Sequence, residues 1–149
     1  MFTRIVRTTL AGVLIASTAC QDGTGLQWGD SAAQARWNEQ RPVSYRYTIS
    51  RSCECLPEMT GPVIVTITNG TVESRRYAST GADLTPTFAE LFPTIDALFE
   101  IIDDARRNAA QLDVDYDPTR GFPTRVSIDW EAGMIDDEIV YTVSAFTLP

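Results

Sequence analysis

Histidine and lysine are both missing from this 149-residue chain. All 12 basic side chains are arginine, set against 20 acids, for a net charge of −8. Without imidazole or a primary side-chain amine there is no Ser-His or Cys-His catalytic pair, no imidazole metal site, no Schiff-base lysine and no phosphate loop with its lysine. The acidic balance excludes sequence-independent nucleic-acid binding, which needs a basic footprint. Cysteine is scarce, with three in the chain. The length fits one domain and is too short for two ordinary ones.

What is present begins with an address. Arg4 and Arg7 form a positive leader, and Leu10 to Ala19 is a short apolar run ending in small residues. The run falls short of the roughly 20 residues a membrane-spanning helix needs, and has the layout of a bacterial secretory signal. It ends at Cys20 after Ser17-Thr18-Ala19, which resembles a lipobox with serine where leucine is usual. This predicts a signal peptide over 1–19, lipidation of Cys20 and a lipidated tether over 20–30. The alternative is an ordinary signal cut near Ala19 that leaves Cys20 unmodified. Each buried CH₂ of an acyl chain contributes about 0.8 kcal/mol, so several chains on Cys20 would hold the protein at a membrane. Gln21, in place of aspartate, favours the outer membrane of a Gram-negative cell. Loss of Arg4 and Arg7 with the leader would leave ten arginines against 20 acids.

From residue 31 to 149 the pattern predicts a single α+β domain. Ser31 to Gln34 reads as a capping box opening a short helix to about Gln40, stopped by Arg41-Pro42 and anchored by Trp37. Val43, Tyr45, Tyr47 and Ile49 alternate with polar residues, as in a half-buried strand. A second strand covers Pro62 to Thr68. Asn69-Gly70 is a two-residue hairpin signal that places Ile67 opposite Val72 and Thr66 opposite Glu73. Residues 78–87 read as loop. Pro93 and Thr94 open a long helix to about Ala110, with Ile95, Leu98, Phe99, Ile102, Ala105 and Ala109 on one stripe. Three strands follow: Leu112 to Tyr116, Arg125 to Trp130 and Glu138 to Phe146, the last with Ile139, Tyr141, Val143 and Ala145 on one face. The expected architecture is an antiparallel curved sheet of about six strands, one long helix packed on one face and a short N-terminal helix.

Three clusters could carry chemistry. Cys53 and Cys55 continue the face of Tyr47 and Ile49. Export permits a disulfide between them, but residues i and i+2 of a straight strand lie about 6.5–7 Å apart, at the upper limit for a bridge. The chain would have to bend, and Leu56-Pro57 is a plausible place. So small a loop removes on the order of 1.6 kcal/mol of unfolded-state entropy, making the bridge a poor staple. The pair therefore reads as a local disulfide, a thiol-redox element, or, with Met59, a soft site for Cu(I). Asp113, Asp115 and Asp117 have the spacing that opens a calcium loop, but Pro118 and Thr124 stand where that loop needs glycine and glutamate. They read chiefly as a solvated strand face offset by Arg120 or Arg125, with metal binding as a weak candidate. Asp136, Asp137 and Glu138 read as a hydrated edge and possible contact surface.

The chain resembles a family of uncharacterised bacterial lipoproteins known only as a domain of unknown function. The resemblance lies in Tyr45-Arg46-Tyr47, Cys53-Glu54-Cys55-Leu56-Pro57 and Gly61-Pro62-Val63 leading to Asn69-Gly70. It continues in Phe92-Pro93-Thr94-Ile95 with Leu98-Phe99, then Tyr116-Asp117-Pro118, Gly121-Phe122-Pro123 and Asp136-Asp137-Glu138. It implies envelope localisation and a small α+β domain, and brings no activity with it. The expectation is a non-enzymatic, lipid-anchored envelope protein without cofactor, bound to the membrane through its N-terminal lipid. Its role would be an interaction or structural module for an envelope partner. The alternatives are a thiol-redox module and a Cu(I) binder using Cys53 and Cys55.

Overall fold

A computed structural model of the chain describes residues 27–134 and 137–149. The proposed signal peptide and Cys20 lie outside the described residues, as does Asp136. Helix α1 (Gln27–Gln40) precedes strands β1 (Tyr45–Ser52), β2 (Val63–Thr68) and β3 (Thr71–Tyr77). Helix α2 (Ile95–Asn108) precedes β4 (Gln111–Tyr116), β5 (Pro123–Asp129) and β6 (Glu138–Thr147). The six strands form one open sheet in the order β3-β2-β1-β6-β5-β4. Every neighbouring pair is antiparallel. A helix followed by a three-strand meander therefore occurs twice, and the halves join where the first strand meets the last. α2 carries the chain from the β3 edge to the opposite edge at β4. No helix among the described residues is long and apolar enough to cross a membrane.

The two helices are equal, at 14 residues each, so the expected contrast of one long and one short helix is corrected. α1 starts at Gln27, which puts Ser31 inside the helix instead of at its cap and takes the last residues of the expected tether into the fold. The local capping pattern is overridden by tertiary contacts: Asp30 in the first turn ion-pairs with Arg106 near the end of α2. One turn apart, Ala33 and Trp37 turn inward and are buried. Arg41, forced out of helix by Pro42, closes the last turn through its N–H to the Trp37 carbonyl at 2.7 Å.

α2 starts as its sequence requires. The Thr94 hydroxyl accepts the Ala97 N–H at 3.1 Å, and Asp96 lies in the first turn with Arg106 and Arg107 in the last. Ile95, Leu98, Phe99, Ile102 and Ala105 are buried on the expected stripe, while Ala109 leaves the helix as its C-cap. Thr94→Ala should cost about 1 kcal/mol in urea unfolding and Thr94→Ser should restore most of it, because the hydroxyl oxygen is what the cap uses.

Strand alternation placed the core of β1 correctly: Tyr45, Tyr47 and Ile49 are buried against the helices. Val43 is corrected; it precedes the strand and is 72 % exposed, its carbonyl held by the Gly70 N–H. At the hairpin Asn69 and Gly70 both have positive φ (51° and 78°), the signature of a type I′ turn. Ile67 does face Val72, but Thr66 faces Ser74 and not Glu73. Glu73 is the extra residue of a β-bulge, and its carboxylate accepts from the Thr68 hydroxyl at 2.6 Å. A second bulge falls in β6, where Thr48 faces Ser144 and Arg46 faces Thr147. Ala145 takes φ 49° there and is exposed, so Phe146 replaces it on the inner face. The segment read as loop contains buried Leu84 and leads into a 3₁₀ turn over Pro86–Leu91 that seats buried Phe92.

Candidate functional site

Both helices pack on one face of the sheet; among the described residues no element covers the other. The strand registers give that free face its pattern. One row across it reads Ser50, Thr142, Arg125, Asp115, and the next Ser52, Val140, Ser127, Asp113. Towards β3 the rows read Ser144, Thr48, Ile64, Arg76 and Thr147, Arg46, Thr66, Ser74. Its middle is therefore mostly short hydroxyl side chains on β2, β1 and β6, interrupted by Arg46, Ile64 and Val140, with further charged residues at the margins. Such side chains lose little rotamer freedom when covered and hydrogen-bond in several directions.

The acids divide between this face and the turns. Asp113 accepts from the Gln111 side chain at 3.0 Å, and Asp115 sits opposite Arg125. Glu138 faces Asp129, whose Oδ1 is buried without a hydrogen-bond partner. Asp117 does not join Asp113 and Asp115. Its carboxylate accepts the backbone N–H groups of Thr119 and Arg120 at 3.0 and 2.6 Å, holding the β4–β5 turn. Among the described residues no group of three or more potential ligands could hold a metal ion. Asp137 likewise serves backbone, accepting the Glu131 N–H.

The Cys53 and Cys55 sulfurs are at bonding distance just past β1. The bend that a straight strand would have forbidden is made locally: the Cα atoms are 5.3 Å apart, and the Cys55 N–H returns to the Cys53 carbonyl at 2.8 Å. Arg51 comes with them. It shares the parity of Tyr45, Tyr47 and Ile49, and its Nη1 lies 3.7 Å from the Cys55 sulfur. The same alternation that marked the cysteines marked Arg51 as a cation on an otherwise apolar strand face, the signal by which it could have been found.

Under the helices an aromatic cluster closes the core. Trp37 meets Tyr45, Phe122 and Phe146 edge-on, with centroids 5.5–6.1 Å away. Phe146 stacks on Phe122 at 4.9 Å and carries the Arg120 guanidinium over its ring. Burial, reinforced by the Asp96 charge and opposed by Arg41, pushes the Tyr45 phenol up to about 12. Burial likewise raises Tyr47, whose hydroxyl donates to the Pro93 carbonyl at 2.8 Å, and Tyr116, near the Asp30 carboxylate. All three phenols therefore stay protonated near neutral pH. Beside α2 a groove of about 530 Å³ is lined by Pro93, Ala97, Ile101 and Trp130 with Arg75 and three carboxylates. No two of its lining side chains hydrogen-bond or ion-pair with one another.

No curated protein and no solved structure matches the chain. A model of a family of unknown function, DUF6174, matches residues 30–148. That span takes in both helix-and-meander halves, the cysteine turn and the free sheet face, and the chain belongs to this family.

Proposed function

We propose that the chain is an exported protein, tethered at Cys20 to the membrane of a bacterial envelope, that acts without catalysis as a binding module. Its helix-free sheet face is the contact surface, and its occupant is a protein of the same compartment carrying a basic patch. The observation that carries this reading is the composition of that face: hydroxyls at the centre and, at the β4 end, Asp113, Asp115, Asp129 and Glu138 around Arg125. A water-facing sheet that only needed solubility could carry long charged side chains throughout. A surface that is covered in use gains from short ones, and its acidic end would steer a cationic partner and fix its orientation. The absence of histidine and lysine supports a role without imidazole acid–base chemistry or amine nucleophiles.

A photo-crosslinking residue at Thr142, introduced into full-length protein in cells, should give a discrete protein adduct, and one at Glu100 on α2 should give none. Reversing Asp113 and Asp115 to arginine should lower the adduct yield severalfold, the more so at low salt. Adducts from both positions, from neither, or with unchanged yield in the charge-reversed protein would refute the face or its partner. Intact mass of the membrane fraction reports the acyl group on Cys20. A Cu(I) role would require Cys53 and Cys55 to be reduced.

A further inference from the structure

The binding surface makes no use of the Cys53–Cys55 turn, yet that turn is electrostatically lopsided. The Arg51 guanidinium reaches Cys55, 3.7 Å from its sulfur, and makes no hydrogen bond with the Cys53 sulfur. Arg51 ion-pairs with no carboxylate among the described residues, so no contact partner neutralises its charge. Its place is fixed by a backbone hydrogen bond to the Thr60 carbonyl at 2.7 Å. Glu54 and Glu58 are the nearest acids in sequence, and both are exposed. A thiolate formed on Cys55 is therefore hydrogen-bonded by the cation, while one on Cys53 feels the same charge without that contact and so more weakly.

In thiol–disulfide exchange the sulfur that leaves as the more stable thiolate leaves faster, and the attack falls on the other. We propose that the turn is a thiol–disulfide exchange site that oxidises a dithiol, with Cys53 taking the incoming sulfur and Cys55 leaving as a thiolate held by Arg51. A thiolate of the dithiol bonds to the Cys53 sulfur. The Cys53–Cys55 bond breaks, and its electron pair goes to Cys55. The second thiolate of the dithiol then attacks its own bridged sulfur and releases Cys53. The substrate ends as a disulfide, and Cys53 and Cys55 end as two reduced thiols. Two electrons have passed to the chain, and the protons lost by the substrate thiols are taken up by water and by the released cysteines. This assignment is independent of the sheet-face reading.

The test treats the oxidised full chain with glutathione near pH 7, quenches with acid and maps the mixed disulfide. Glutathione should be found on Cys53. Arg51→Met should slow cleavage of the bridge about tenfold and Arg51→Lys should keep most of the rate, because the charge and not the shape is used. A mixed disulfide on Cys55, an even split, or an unchanged rate in Arg51→Met overturns the assignment. Should Arg51→Met fail to fold, the reduced native chain decides: Cys55 should be alkylated by iodoacetamide with an inflection at lower pH than Cys53. Coincident profiles overturn it equally. Sheet-face crosslinking at Thr142 is read separately, so failure of one proposal does not carry the other.

Discussion

Trp37→Ala is expected to remove about 3–5 kcal/mol, a large share of the stability of a domain this size. The ring is fully buried, and deleting it withdraws one partner from each of Tyr45, Phe122 and Phe146. Those three come from β1, the β4–β5 connection and β6, so no single neighbour can move in to fill the space. The indole also donates to Asp96 Oδ1 at 2.8 Å, while Arg41 donates to Oδ2 at 2.7 Å. The Trp37–Asp96–Arg41 group thereby ties the end of α1 to the first turn of α2. Trp37→Phe separates the two contributions. It keeps most of the apolar volume and removes one donor from a carboxylate that retains Arg41, so its cost should be nearer 1–2 kcal/mol. Urea unfolding of both variants, followed by near-ultraviolet dichroism of the aromatic cluster, checks the ordering. A loss below about 1 kcal/mol for Trp37→Ala would mean that α1 contributes little to the fold.

The second large effect is expected at Gly121. Its φ is +80°, and a Cβ built there would lie 2.1 Å from the Ala33 carbonyl oxygen. That oxygen belongs to the backbone of α1 and has no flexible end to swing away. Gly121→Ala must either push α1 off the β4–β5 turn or distort the turn whose carboxylate cap is Asp117. A loss of roughly 3 kcal/mol or more follows, with weakened contact between Trp37 and Phe122. Gly70→Ala is the matched control. Its φ is +78°, yet nothing lies within 4 Å of the added atom, so it reads the conformational penalty alone, about 1–2 kcal/mol. The difference between the two variants isolates the close approach of helix and turn. Equal losses would show that the helix does not sit there in solution.

Legibility in the sequence followed the range of the interaction. Tyr45, Tyr47 and Ile49, the stripe on α2, the Thr94 cap and the Asn69-Gly70 turn are set by neighbours within a few residues, and periodicity reveals them. The start of α1 is not legible locally, because Asp30 is held by Arg106, far along the chain. The pairing of Thr66 was misplaced because an extra residue, Glu73, is accommodated by a contact that alternation does not encode. The same holds for Phe146, which alternation put outside and the bulge at Ala145 brings in. The site divides in the same way. Cys53 and Cys55 stand out as a pair, and their spacing by itself requires the bend. Asp117 looked like a third member of an acidic strand face, but the turn beyond β4 gave its carboxylate backbone donors instead. The free face could not be seen at all until the order of strands was known, since the row through Ser50, Thr142 and Arg125 is drawn from three separate parts of the chain.

The neighbouring of β1 and β6 has a temporal consequence. Glu138–Thr147 is the final strand in sequence and occupies the middle of the sheet, so both meanders present an unpaired flank until it arrives. Loop-closure cost makes such end-to-end pairing a late and slow event. On the proposed export route, completion of the sheet waits for β6. The compartment that receives the last strand is then the one in which the domain acquires its shape.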